Sequence, residues 1–270
     1  MIKLFVCDID NTLLNQRVGL PQANLDAILN LQRNGVTVAL ASGRVSAGLH
    51  ELAEKLQLKH YGGYVIASNG AYVKRMRDEK VLLDARIPLE NLKVLADEIR
   101  DLGIHASIQQ GDTLYYTIED EAIRYNRGVI GLKTQANEDL GLALYEASNK
   151  IEVTGFFNGD ITPFDRFAAR HGNDYSLIRG RGTFLDVMPK GVTKASGMAV
   201  VMKDLNLKAT EVAAIGDGEN DRAMLKAAGL SATLVDARAT LHEDVDHVVG
   251  SVEQAGLSHF AHLVLSKNAV

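Results

Sequence analysis

The sequence predicts an α/β fold, a Rossmann-like doubly wound parallel sheet with a smaller α+β unit inserted into it. Three observations carry that prediction. Short apolar runs alternate with amphipathic stretches at both ends of the chain, which is the rhythm of βαβ units. Residues 2–7 are apolar almost throughout, as a strand buried on both faces should be. From about Asp84 the pattern changes to hairpin-like pairs of short strands, and the α/β rhythm returns only after Pro189.

The elements follow in order. After the strand at 2–7, Pro21 opens a helix whose Leu25, Ile28 and Leu29 form an i, i+3, i+4 stripe, closed by Asn34-Gly35. A strand at 36–41, a helix at 45–58 and a strand at 64–68 come next, ending in the Asn69-Gly70 turn. In the middle segment Leu92, Leu95, Ala96, Ile99 and Leu102 make a helical stripe stopped by Gly103. Gly111-Asp112 turns a hairpin between 104–110 and 113–118. Strands at 150–157, 175–178 and 183–188 and a helix at 164–170 complete an antiparallel α+β unit. The last third reads as a helix at 193–205, a strand at 212–215, a short helix after Gly218 and a strand at 230–235. A final helix carries Leu257, Phe260, Ala261 and Val264. Residues 1–83 and 188–270 therefore form the core domain, and 84–187 the insertion.

Composition narrows the function classes. A chain of 270 residues with 46% hydrophobic and 23% charged residues has the balance of a globular protein with a real core. A net charge of −5 without a long basic run argues against nucleic acid or an anionic membrane as partner. No run approaches the ~18 apolar residues of a membrane span, and the apolar start is too short for a secretory signal. The single cysteine, Cys7, excludes an intrachain disulfide framework and suits a reducing compartment, so a cytoplasmic location is expected.

Reactive residue types gather at four places. The first strand runs into Asp8-Ile9-Asp10-Asn11-Thr12, at the carboxyl end where open α/β sheets bind ligands. Asp8 and Asp10 share a side if the backbone stays extended. The second strand ends in Ser42-Gly43-Arg44, which offers a hydroxyl, an open N–H and a helix start to an anion. Lys190 and Lys194 flank a helix start, where a cation opposes the helix dipole unless an anion sits there. The apolar strand 212–215 leads into Gly216-Asp217-Gly218-Glu219-Asn220-Asp221. Asp221 stands where a dinucleotide fingerprint needs glycine, and so many acids repel a pyrophosphate but suit a cation bridging to a phosphate. Alone, each segment is also an ordinary cap or turn. If their strands sit side by side, one crevice holds a nucleophile, an acid, anion donors and an Mg²⁺ site.

The four segments in this order resemble the haloacid dehalogenase (HAD) superfamily of phosphatases over the whole chain. Within it they resemble the Cof-type sugar-phosphate phosphatases of subclass IIB, which carry a large C2-type cap. Asp8–Leu14 matches the first motif, Ser42-Gly43-Arg44 the second, Gly191–Lys194 the third and Gly216–Asp221 the fourth. The interval from Lys194 to Asp217 favours Lys194 over Lys190. Asn11 departs from the glycine of many relatives, and asparagine tolerates left-handed backbone better than most residues.

The resemblance implies a Mg²⁺-dependent phosphatase of small phosphorylated metabolites, most plausibly sugar phosphates, in which Asp8 attacks phosphorus and forms an aspartyl-phosphate. It implies Asp10 as the general acid and base. Asp8, the Asp10 backbone carbonyl and Asp217 would hold Mg²⁺, supported by Asp221 and Thr12. Ser42, the Gly43 N–H, Lys194 and Asn220 would bind the phosphoryl group, with help from Arg44. The inserted cap would close over the crevice and select the substrate, with Tyr115, Tyr116, Asn126 and Arg127 as candidates of weaker claim than core or solvated roles. Rival readings are a phosphotransferase or phosphomutase of the same superfamily and a non-catalytic sugar-phosphate sensor. A receiver domain places its nucleophile on a later strand, where this chain has Ser42 or Asn69. A monomer or weak homo-oligomer is expected. The run His242-Glu243-Asp244 with Asp246-His247 lacks metal-site spacing and reads as a polar surface segment, His259 and His262 as the wet face of the last helix, and Arg179 and Arg181 as a basic turn.

Overall fold

A computed structural model describes residues 1–154, 162–179 and 184–269. The chain divides into two compact units, Met1–Leu83 with Thr193–Val270, and Asp84–Val192. The strands in chain order are β1 (Leu4–Cys7), β2 (Thr37–Ala41), β3 (Tyr64–Ala67), β4 (Tyr72–Arg75) and β5 (Lys80–Asp84). The insertion adds β6 (His105–Gln110), β7 (Thr113–Tyr116), β8 (Lys133–Ala136), β9 (Ile151–Thr154), β10 (Tyr175–Arg179) and β11 (Phe184–Pro189). The chain ends with β12 (Val212–Ile215), β13 (Leu230–Leu234) and β14 (His247–Val249).

The first unit is built on a sheet of order β14-β13-β12-β1-β2-β3-β4-β5. From β14 to β3 all pairings are parallel, and β4 turns back antiparallel to β3. Alternate residues of β1 feed two separate cores. Phe5 and Cys7 join the layer that holds Ile28, Leu31, Leu257 and Phe260, while Leu4 and Val6 join Met198, Val201 and Met224. Helices therefore cover both faces, and β1 is apolar on both sides for that reason. The order of connection reverses beside β1, because β2 and β3 succeed it on one side and β12 to β14 on the other. A doubly wound sheet opens its ligand crevice at such a switch point, beyond the carboxyl ends of the strands.

The second unit is a sheet of order β10-β11-β9-β6-β7-β8. One face packs on the helices Leu89–Asp101 and Thr162–His171 through Leu92, Leu95, Ile99, Phe164 and Phe167. The pairings are antiparallel except β7 with β8, which is parallel. The helix Glu121–Gly128 supplies the crossover that a parallel pair needs, a correction to the fully antiparallel expectation. Pro189 closes β11, which pairs with both β9 and β10, so the unit runs to Val192 rather than ending at residue 187.

Other boundaries differ for local reasons. The helix expected over 45–58 is a 3-10 turn Ser46–Leu49 and two short helices, His50–Lys55 and Leu58–Tyr61, interrupted where Gln57 turns left-handed at φ 55°. The expected strand positions 155–157 and 183, and Gly180 and Arg181, lie outside the described residues. Among the described residues no helix is long and apolar enough to cross a membrane.

Candidate active site

The switch point is where the acids meet. Asp8 follows β1, its N–H donating to the Ile215 carbonyl at 2.9 Å, so the ladder with β12 continues one residue past the strand. Its Oδ1 accepts a hydrogen bond from Lys194 Nζ at 2.6 Å, and the same ammonium donates to Asp221 Oδ1 at 2.6 Å. Lys194 is 0% exposed and Asp8 5%, so this ion triad is buried. Oxygens of Asp8, Asp217 and Asp221 lie within 4.8 Å of one another.

Local chemistry sets each side chain. Lys194 is the first residue of the helix Lys194–Leu205, behind the N-cap Thr193, which exchanges hydrogen bonds with Ser196 in a capping box. A lysine there opposes the helix dipole, and Asp8 and Asp221 supply the anions that the sequence implied. Asp221 Oδ2 accepts the backbone N–H groups of Asp217 and Gly218 at 3.1 and 2.9 Å, folding the loop after β12 around it. Gly216 is required by that fold, since a β-carbon there would sit 2.4 Å from Asp221 Cγ. Thr12 is fully buried and donates to Asp217 Oδ1 at 3.2 Å. Asn11 takes φ 63°, the left-handed geometry that asparagine tolerates.

The electrostatics follow from burial. Desolvation, then the charges of Asp221 and Asp217, push the Asp8 carboxyl well above the usual range, against the pull of Lys194. Burial also opposes the charge on Lys194, but Asp221 and Asp8 outweigh it and hold the ammonium above an ordinary lysine. Three buried carboxylates thus share one buried ammonium. The donors are hard oxygens, and the excess negative charge is what a divalent cation balances. The residues fit a divalent cation on that ground.

Asp10 takes a different partner. Arg44 grips both its oxygens, Nε to Oδ2 at 2.8 Å and an Nη to Oδ1 at 2.6 Å. The pair is bidentate, which fixes the orientation of the Asp10 side chain. Ser42 is buried, and its Oγ accepts the Arg44 N–H at 3.1 Å. Asn220 donates through Nδ2 to Asn69 Oδ1 at 3.0 Å. A β-carbon on Gly43 would meet the Asn69 amide nitrogen at 3.3 Å, so Asn69 lies against the second motif as well. In the sequence Asn69 reads as a turn residue, with no sign of these contacts.

The weaker candidates take structural places. The Tyr116 hydroxyl and Arg127 bond each other and Glu119, and Tyr115 packs against the core of the inserted unit. Asp244 pairs with Arg222 and Lys226, Asp246 accepts from Ser231, and His242 bonds the Leu234 carbonyl. His259 and His262 are exposed.

A family model of haloacid dehalogenase-like hydrolases matches residues 5–260. The chain belongs to the haloacid dehalogenase-like hydrolase family. This hydrolase is 25% identical over 287 residues to the phosphatase YwpJ of Bacillus subtilis, across 96% of this chain and 98% of that one. It is also 25% identical over 260 residues to the B. subtilis 5-amino-6-(5-phospho-D-ribitylamino)uracil phosphatase YcsE, across 95% and 93%. Its fold is similar to that of a HAD subclass IIB sugar phosphatase, with a TM-score of 0.82 at 22% identity over 97% of this chain and 98% of that one. A haloacid dehalogenase-like hydrolase from Bacteroides thetaiotaomicron gives a TM-score of 0.86 at 22% identity, over 98% and 100%. The chain is thus an enzyme, a hydrolase of the HAD superfamily.

Proposed function

We propose that this hydrolase removes phosphate from small phosphorylated metabolites, sugar phosphates first among them, with Mg²⁺ and an aspartyl-phosphate on Asp8. The observation that carries the reading is the buried Lys194 bonded to Asp8 and Asp221, with Asp217 beside them, at the carboxyl end of β1. The substrate class draws support from the sugar phosphatase among the similar folds and the phosphorylated ribityl compound in the name of a curated relative.

Asp8 and Asp217 would hold Mg²⁺ together with the Asp10 backbone carbonyl, and Asp221 would keep the loop around them in place. The bound cation would neutralise charge on the phosphoryl oxygens. The Asp8 carboxylate attacks phosphorus as the ester oxygen departs, and the phosphoryl group passes to Asp8. Lys194, Ser42, the Gly43 N–H and Asn220 stabilise the charge on the group in flight. Asp10 gives its proton to the departing alkoxide, then takes one from the water that hydrolyses the acyl phosphate. We assign the choice of leaving group to the inserted unit, and a cytoplasmic location in keeping with the lone buried thiol of Cys7.

The test is phosphate release from a panel of sugar phosphates, nucleotides and an aryl phosphate, with Mg²⁺ and with chelator, beside Asp8→Asn. Metal-dependent turnover lost in the variant supports the reading. Binding without turnover on every ester moves the assignment to a sensor.

A further inference from the structure

The turn after β3 does more than reverse the chain. Ser68 and Asn69 are consecutive non-glycine residues in left-handed backbone, φ 48° and 51°, and Gly70 follows at φ 104°. Such strained conformations persist where the surroundings over-determine them, and they cluster at functional sites. Here three of the four motifs supply those surroundings. The Asn69 N–H donates to the Ser42 carbonyl at 2.9 Å, and the Ser68 N–H to the Arg44 carbonyl at 2.8 Å. A β-carbon on Gly70 would lie 2.1 Å from the Thr193 carbonyl, so the turn presses on the cap of the helix that starts at Lys194. One on Gly197 in that helix would come within 2.9 Å of Gly70 Cα. The Asn69 side chain, 1% exposed, touches the fourth motif through Asn220 and the second at Gly43.

We propose that Asn69 is a positioning residue for phosphoryl transfer: its Oδ1 holds the Asn220 carboxamide with nitrogen inward, leaving that nitrogen's second proton to bind the phosphoryl oxygens. A carboxamide presents a donor at one corner and an acceptor at the other. With Asn69 Oδ1 opposite it, the rotated Asn220 would set two carbonyl oxygens against each other, so one orientation is selected. An anion site gains from donors fixed before the charge arrives, because no reorganisation is then needed. The inference rests on the reading of Asn220 as a phosphoryl donor and adds the group that aims it. The sequence hides this role, because Asn-Gly after a strand is the commonest sort of turn.

The discriminating variant is Asn69→Gly. Glycine occupies φ 51° without strain, so the turn survives while the amide disappears. A double-mutant cycle with Asn220→Ala, read as kcat/KM on an aryl phosphate, as calorimetric binding of inorganic phosphate and as Tm, separates the outcomes. The proposal expects Asn69→Gly to lower kcat/KM by about 10- to 100-fold, to weaken phosphate binding and to leave Tm unchanged. It also expects little further loss when Asn69→Gly is added to Asn220→Ala. Full activity in Asn69→Gly beside a damaged Asn220→Ala overturns the proposal and leaves the reading of Asn220 standing. Losses that simply multiply, or a loss matched by a fall in Tm, overturn it too. An Asn220→Ala variant with normal turnover removes the reading beneath it and the proposal together.

Discussion

Each unit of this molecule places a lysine between two carboxylates, and the two triads have different causes. In the inserted unit Lys150 Nζ reaches Glu152 at 3.0 Å and Asp186 at 2.8 Å. Those acids stand opposite each other on β9 and β11. Like charges in that register repel, and the lysine between them answers a need of the sheet itself. In the core unit Lys194 reaches Asp8 and Asp221 at 2.6 Å each. No strand register calls for it, and its own helix dipole opposes it. Lys194 is fully buried where Lys150 keeps 12% exposure. A third acid, Asp217, crowds the core triad. The lesson is that a buried ion triad acquires chemical meaning from its place: at strand ends, over-supplied with acid, it suits a cation; on a sheet face it is a sheet brace.

The sharpest way to break the comparison is to remove each lysine. Lys194→Met is expected to lower kcat by about 10³-fold or more. It should also destabilise the metal-free protein by about 3–5 kcal/mol, as breaking a buried pair does. Lys150→Met should cost about 1–3 kcal/mol by thermal unfolding while aryl phosphate turnover stays near the parent's. Equal loss of activity in both variants would erase the distinction.

Asp10 offers the next test, because it stands apart from the acid cluster on Arg44. Asp10→Asn should lower kcat by about 10²–10⁴-fold on alkyl phosphates, which need a proton on the leaving oxygen. It should do much less to an aryl phosphate, whose leaving group needs none, and an equal loss on both esters would count against the acid role.

The excess of acid in the core predicts a metal effect. Saturating Mg²⁺ at about 100 times its dissociation constant is worth about 2.7 kcal/mol to the folded state, several degrees of Tm by scanning calorimetry. Lys150→Met should keep that shift and Asp217→Asn should lose most of it. The smallest effect belongs to Asn11→Gly. At φ 63° the exchange is sterically free, so stability should move by less than about 1 kcal/mol in a denaturant titration.

Much of this arrangement is legible in the sequence because its causes are local. The strand ends carrying Asp8, Ser42 and Asp217 follow apolar runs that only a buried parallel sheet explains, and Lys194 stands out by opposing its helix. One strand of the inserted unit and one hairpin of the core sheet are harder to read. β8 is mostly exposed, and the hairpin β4–β5 is laced with Lys74, Arg75, Asp78 and Glu79, so neither shows the alternation that marks a strand. The break at Gln57 and the register that opposes Glu152 to Asp186 depend on tertiary contacts. So do the Asp10–Arg44 pair and the meeting of Asn69 with Asn220, which joins residues far apart in the chain.

The central claim is that phosphate passes through Asp8, and the stereochemistry at phosphorus tests it most directly. A substrate with a chiral, isotopically labelled phosphorothioate should be hydrolysed in labelled water with Mg²⁺ and the configuration of the released thiophosphate determined. Transfer to Asp8 followed by attack of water makes two in-line displacements, so the account predicts net retention. Net inversion would mean that water attacks the ester directly, and it would contradict the assignment of Asp8 as nucleophile.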